Sequence, residues 1–240
     1  VTVSLADSSG NVTVTYNYIY NEKIATNFNT SIVVSNLTND GFRTSAGINH
    51  SSVVITQWDN IPLSRGGLQF QSYQGSIDTN DIPTVLSNTT FQSIFQNTTI
   101  ENIPYINDWN ISNVTSLTYA FYDATQFNSD ISEWDTSNIL YCNQSFYNAT
   151  NFNQNISAKL INKNNSTYVA WNTKKVKTFE KMFDGATNFN NGELSNNREN
   201  PLYLDTTSIT SMESMFQDCP NFNQSMPRNV ITLTSGDFSY

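Results

Sequence analysis

A chain of 240 residues is long enough to bury a sizeable core, as one large domain or two small ones. Twenty acidic residues against 11 basic ones give a net charge of -9, and basic residues cluster only at Lys174–Lys177, which excludes a nucleic-acid backbone as partner for most of the surface. Charge is sparse and Asn, Ser and Thr abound, unlike a typical cytosolic enzyme, while 15 Phe and 12 Tyr in a chain that is 38% apolar mean that the core leans on aromatic rings.

Residues 1–52 read as a small antiparallel β region that caps the remainder of the chain. "VTVSL", "NVTVTYNYIY", "TSIVVSN" and then "SSVVITQW" alternate apolar and polar residues, and "DSSGN" reads as a hairpin turn. The chain opens without a charged start and an apolar segment, so the expectation is a removed signal, a fragment or a particle component. No apolar run approaches the length of a membrane span, and direct membrane insertion is not expected.

From about Val53 to Tyr240 a repeat sets the organisation. Phe70, Phe95, Phe121 and Phe146 follow one another at 25, 26 and 25 residues, and Phe183 and Phe216 continue the series after insertions near 158–170 and 194–203. Twelve residues before these rings stand Trp58, Pro83, Trp109, Trp134, Trp171 and Leu204. Leu117, Ala120, Phe121 and Ala124 fall at i, i+3, i+4 and i+7, and the spacing predicts a short helix in each unit, with Ser112 or Asn113 as a cap. One such unit cannot bury its own stripe, whereas stacked units bury one another and leave an extended, slightly curved surface. Cys142 and Cys219 occupy stripe positions two units apart, beyond the reach of about 7 Å that a disulfide needs, and are expected as buried free thiols.

After each predicted helix comes a second element, beginning at Phe127, Phe152, Phe189 and Phe222. Asn128, Asn153, Asn190 and Asn223 follow these rings and read as a structural ladder of stacked amides rather than a row of ligand contacts. Asp59, Asn110, Asp135 and Asn172 after the tryptophans, with Asp205 after Leu204, read as Asx turns; calcium would need more oxygen ligands per unit than one.

The motif "W-D-T-S-N-I/V … F-Y-N-A-T-N-F-N-Q-N-I-S", present from about Val53 to Pro227, resembles that of the BspA-like leucine-rich-repeat surface proteins. Their unit of roughly 25 residues was long catalogued as a mycoplasma lipoprotein-associated domain, and they are also encoded by large DNA viruses. The resemblance implies an α+β, leucine-rich-repeat-like solenoid of about six short helix/strand coils, and a role in adhesion and surface display rather than catalysis.

Chemistry-bearing constellations are scarce. His50 is the single histidine, so neither a zinc cluster nor a nucleophile–His site is built around it, and it reads as a loop residue. Asp130, Glu133 and Asp135 lie close enough in sequence for a glycosidase-like pair, but read as an acidic rim. No nucleotide-binding glycine pattern occurs, and no cofactor or metal is expected. Fourteen Asn-x-Ser/Thr triplets favour glycosylation in a secretory pathway, with Asn97, Asn143 and Asn148 expected to carry sugar and Asn223 expected bare.

These observations together lead to a non-catalytic, extracellular or cell-surface protein that contacts a protein or glycan on another surface. A structural subunit of a virion coat or surface layer, contacting neighbouring subunits, is the alternative, and a carbohydrate-binding or hydrolytic module comes last. The two insertions fall at the same phase of consecutive units, which predicts a contact edge carrying Tyr168, Arg198, Leu202 and Tyr203.

Overall fold

The computed structural model describes residues 2–3, 14–15, 30–31, 53–55, 57–58, 62–163, 165–194 and 198–226. Seven short strands occur among them. β1 (Thr2–Val3) and β2 (Val14–Thr15) pair antiparallel; β3 (Thr30–Ser31), β4 (Val53–Ile55) and β5 (Ser76–Ile77) form a parallel sheet in that order. β6 (Lys159–Lys163) and β7 (Ser166–Ala170) form an antiparallel hairpin. The "DSSGN" turn, His50 and Asp59 lie outside the described residues.

The described residues do not form the expected leucine-rich-repeat-like solenoid of helix/strand coils. They contain no α-helix, and the regular elements beyond the small sheets are a 3₁₀ turn at Ile106–Asp108, a parallel bridge between Pro62 and Thr84, and single parallel bridges linking Ser116, Tyr141, Thr178 and Ser211. The stripe that predicted a helix builds two successive tight turns instead. Ala120 donates its N–H to the Leu117 carbonyl at 2.9 Å and Ala124 donates to Phe121 at 3.1 Å, with Tyr119 and Asp123 at positive φ as the third residue of each turn. That is the signature of a type II turn, and it interrupts the right-handed run a helix needs.

The same pair of left-handed positions, two residues before and two after the central Phe, recurs at Ser93/Asn97, Gln144/Asn148, Lys181/Gly185 and Ser214/Asp218. Non-glycine residues held there cost of order 1–3 kcal/mol each. Backbone bonds between successive tiers of turns oppose that cost. Leu117, Tyr119, Phe121 and Asp123 donate their N–H groups to the carbonyls of Tyr141, Asn143, Ser145 and Tyr147 at 2.7–3.2 Å. Alternate N–H groups therefore close turns within a tier while the others reach the next tier, so the buried backbone is satisfied without a continuous strand.

Aromatic rings fill the space between tiers. Phe70, Phe95, Phe121, Phe146, Phe183 and Phe216 stack with centroids 5.0–5.6 Å apart, and all but Phe216 are fully buried. Phe127, Phe152, Phe189 and Phe222 form a second column at 5.7–6.0 Å, lying 3.9–4.2 Å from the first. Trp134 and Trp171 close the layer by donating Nε1–H to the Ile106 and Ile131 carbonyls at 2.8 and 2.9 Å.

Candidate functional site: the hairpin edge and its polar cleft

Both insertions lie on one edge. The first is the β6–β7 hairpin, in which Leu160 faces Val169, Ile161 faces Tyr168 and Lys163 faces Ser166. Side chains alternate across a strand, so one face carries Leu160 and Val169 and the other carries Ile161, Tyr168 and Lys163. The second insertion runs beside the hairpin's base, where the Ala158 N–H donates to the Tyr203 carbonyl at 2.9 Å and Ser157 Oγ donates to the Pro201 carbonyl at 2.7 Å.

The hairpin's inner face closes over a cleft of about 320 Å³ lined by Asn107, Asp108, Glu133, Asp135, Lys163 and Tyr168, among others. Lys163 Nζ lies 2.6 Å from Asp108 Oδ1 and 2.8 Å from Glu133 Oε2. Burial works against its ammonium, but these two carboxylates outweigh it and hold the group above its ordinary value. Tyr168 donates its hydroxyl to the Glu133 carbonyl at 2.7 Å, and its phenol is raised first by burial and then by nearby carboxylates, with Lys163 pulling the other way.

Of the three carboxylates singled out in the sequence, Glu133 is paired with Lys163. Asp130 accepts the Ser132 N–H at 2.8 Å and Asp135 accepts the Ser137 N–H at 3.0 Å, so each closes a turn. Asn110, Asp135, Asn172 and Asp205 all accept the N–H two residues on, as an Asx turn requires. Among the described residues no group of three or more His, Cys, Asp and Glu side chains is arranged to hold a metal ion.

The contact residues named from the sequence separate in space. Tyr203 is 43% exposed and Arg198 is exposed, whereas Leu202 is 1% exposed and belongs to the core, and Tyr168 faces the cleft. The exposed apolar side chains of the two insertions are Leu160 at 64%, Val169 at 39%, Tyr203, and Leu194 at 94%, the last lining an amide-rich groove. Leu160, Val169 and Lys163 were missed by sequence reasoning, although "KLINK" and "STYVA" on either side of an Asn-rich turn carry the alternation of a hairpin.

The amide column forms a bonded series. Asn153 N–H donates to Asn128 Oδ1 at 2.9 Å, Asn190 N–H to Asn153 Oδ1 at 2.8 Å, and Asn223 N–H to Asn190 Oδ1 at 3.0 Å. Asn128, Asn153 and Asn190 line part of a second groove of about 360 Å³ with Asn151, Asn188 and Asn221. Asn97 is exposed. Asn143 accepts the Thr118 hydroxyl at 2.9 Å, and Asn148 donates Nδ2–H to Asp123 at 2.9 Å while its Oδ1 sits over Gly185. Cys142 and Cys219 are free and buried, and burial pushes both thiols up to about 12.

Stacked tiers of tight turns with an aromatic interior, carrying one hairpin on an edge, define the class of protein. The chain belongs to the family described as Mycoplasma protein of unknown function, DUF285, whose model matches residues 68–169 and again 158–234, more than half of the chain. That family, and not the BspA-like leucine-rich-repeat family, is the one found, and with no helix/strand coil among the described residues the leucine-rich-repeat and solenoid readings are set aside. No curated protein and no solved structure matches the chain.

Proposed function

We propose that the protein is a non-catalytic contact module displayed at a surface, and that it binds a protein partner through the hairpin edge. The observation that carries this reading is the trio Leu160, Val169 and Tyr203, exposed together at the edge where both insertions meet. Apolar and aromatic groups are the anchors that dominate protein contacts, and Arg198, exposed in the second insertion, offers a directional cation on the same insertion as Tyr203. Most of the cleft's carboxylate charge is engaged in pairs and turns, which supports binding over acid/base work. An extracellular or cell-surface setting accords with sparse charge and frequent Asn-x-Ser/Thr triplets.

Beads coated with the intact protein, presented to immobilised serum proteins and to a glycan array, test the proposal. Replacing Leu160, Val169 and Tyr203 together by Ser is expected to weaken retention on a protein surface at least thirtyfold, the scale of a lost hot spot of about 2 kcal/mol. Retention confined to glycans, or unchanged by the triple variant, overturns the reading.

A further inference from the structure

Stacking occupies only one side of each amide in the Asn column. Asn190 Oδ1 accepts the Asn223 N–H at 3.0 Å and a Gln224 Nε2–H at 3.1 Å, and these two donors fix which way the amide faces. Asn128 Oδ1 likewise accepts the Asn153 N–H and a Gln154 Nε2–H, both at 2.9 Å. The Nδ2 groups of Asn128 and Asn190 are left over, and they donate to nothing among the described residues. Asn190 is only 5% exposed, yet it lines the groove, and an unmet donor on so buried a side chain is unfavourable until a group in the groove accepts from it.

A second row of amides flanks the same rings. Asn151, Asn188 and Asn221 immediately precede Phe152, Phe189 and Phe222, and they share the groove of about 360 Å³ with the first row. Asn188 and Asn221 are exposed, and their side chains bond to nothing among the described residues. An amide both donates and accepts, which suits a hydroxyl group, itself a donor and an acceptor. Among the described residues that line the groove there is no lysine or arginine, and Glu193 is a carboxylate, so an anionic ligand is disfavoured. An extended peptide is disfavoured as well. Peptide grooves offer a free strand edge or apolar pockets for alternate side chains, whereas the one apolar side chain in this lining, Leu194, is 94% exposed.

We propose that this groove binds a neutral, linear oligosaccharide whose hydroxyl groups engage the two rows of amides over successive tiers, at a site separate from the hairpin edge. Isothermal titration of the full chain with cellohexaose, mannohexaose, chitohexaose, a heparin hexasaccharide and a hexaserine peptide tests this. At least one of the three neutral sugars is expected to bind with a Kd below about 1 mM. Asn188→Ala combined with Asn221→Ala is expected to weaken that binding at least tenfold and to leave the urea midpoint unchanged, because neither side chain is bonded within the fold. Replacing Leu160, Val169 and Tyr203 together by Ser is expected to leave sugar binding as it is, which separates this site from the protein-binding edge. No binding of any neutral sugar, equal or tighter binding of heparin or of the peptide, binding indifferent to the double Asn variant, or binding lost in the hairpin-edge variant would each overturn the proposal.

Discussion

Gly67 shows how little room the turns leave. Its φ is +79°, and a Cβ there would lie 2.6 Å from the Gln92 carbonyl oxygen, which itself accepts the Leu68 N–H at 2.9 Å. Left-handed strain and a backbone collision act together, so Gly67→Ala is expected to cost about 2–4 kcal/mol. Gly66→Ala, where the nearest atom is Ser64 Oγ at 4.0 Å, is expected to change stability by less than about 0.5 kcal/mol. Urea midpoints of the two variants check this, and equal losses would contradict it. The residues two after the central Phe are Ser72, Asn97, Asp123, Asn148, Gly185 and Asp218, mostly types that tolerate a left-handed backbone, so half of the turn pattern was legible at this scale. The positions two before it hold Leu68, Ser93, Tyr119, Gln144, Lys181 and Ser214, which carry no such signal.

The hairpin is the element whose attachment depends on electrostatics. Lys163 bridges Asp108 and Glu133, yet all three side chains are about a third exposed, and solvent-screened pairs contribute about 0–1 kcal/mol. Lys163→Met is therefore expected to leave global stability within about 1 kcal/mol while speeding tryptic cleavage after Lys159 severalfold. The Lys163 ammonium is held above its ordinary value, so its contribution is complete below the usual lysine range near 10.4 and fades only as pH rises through the higher folded value. The ratio of cleavage rates between variant and parent should thus stay flat from pH 7 to pH 9. A ratio that collapses within that window would show that another group holds the hairpin.

Over the whole molecule, stability is shared between neighbouring tiers. Phe146 is fully buried with rings at 5.1 Å (Phe121), 5.5 Å (Phe183) and 4.1 Å (Phe152), and Phe146→Ala is expected to cost about 3–5 kcal/mol. Phe216 has a column neighbour on one side and remains partly exposed, so Phe216→Ala should cost less than half as much. Chemical denaturation of the two variants compares them directly, and equal costs would mean that the end tier is as enclosed as the middle.

The sequence by itself determined the spacing of the units, the aromatic rings that face inward, the turns after the tryptophans and the phase of the two insertions, because each depends on residue type at a fixed interval. It did not determine the conformation of the stripe. Apolar residues at i, i+3, i+4 and i+7 suit a helical face, and they suit two consecutive turns equally well. Only the tertiary structure decides between them, since the N–H groups that a helix would satisfy within itself are satisfied here by carbonyls of the next tier, more than 20 residues away in the chain. The same holds for the edge: Leu202 and Tyr203 are neighbours in sequence, but one enters the core and the other faces solvent because the Tyr203 carbonyl is held by the Ala158 N–H across the tier.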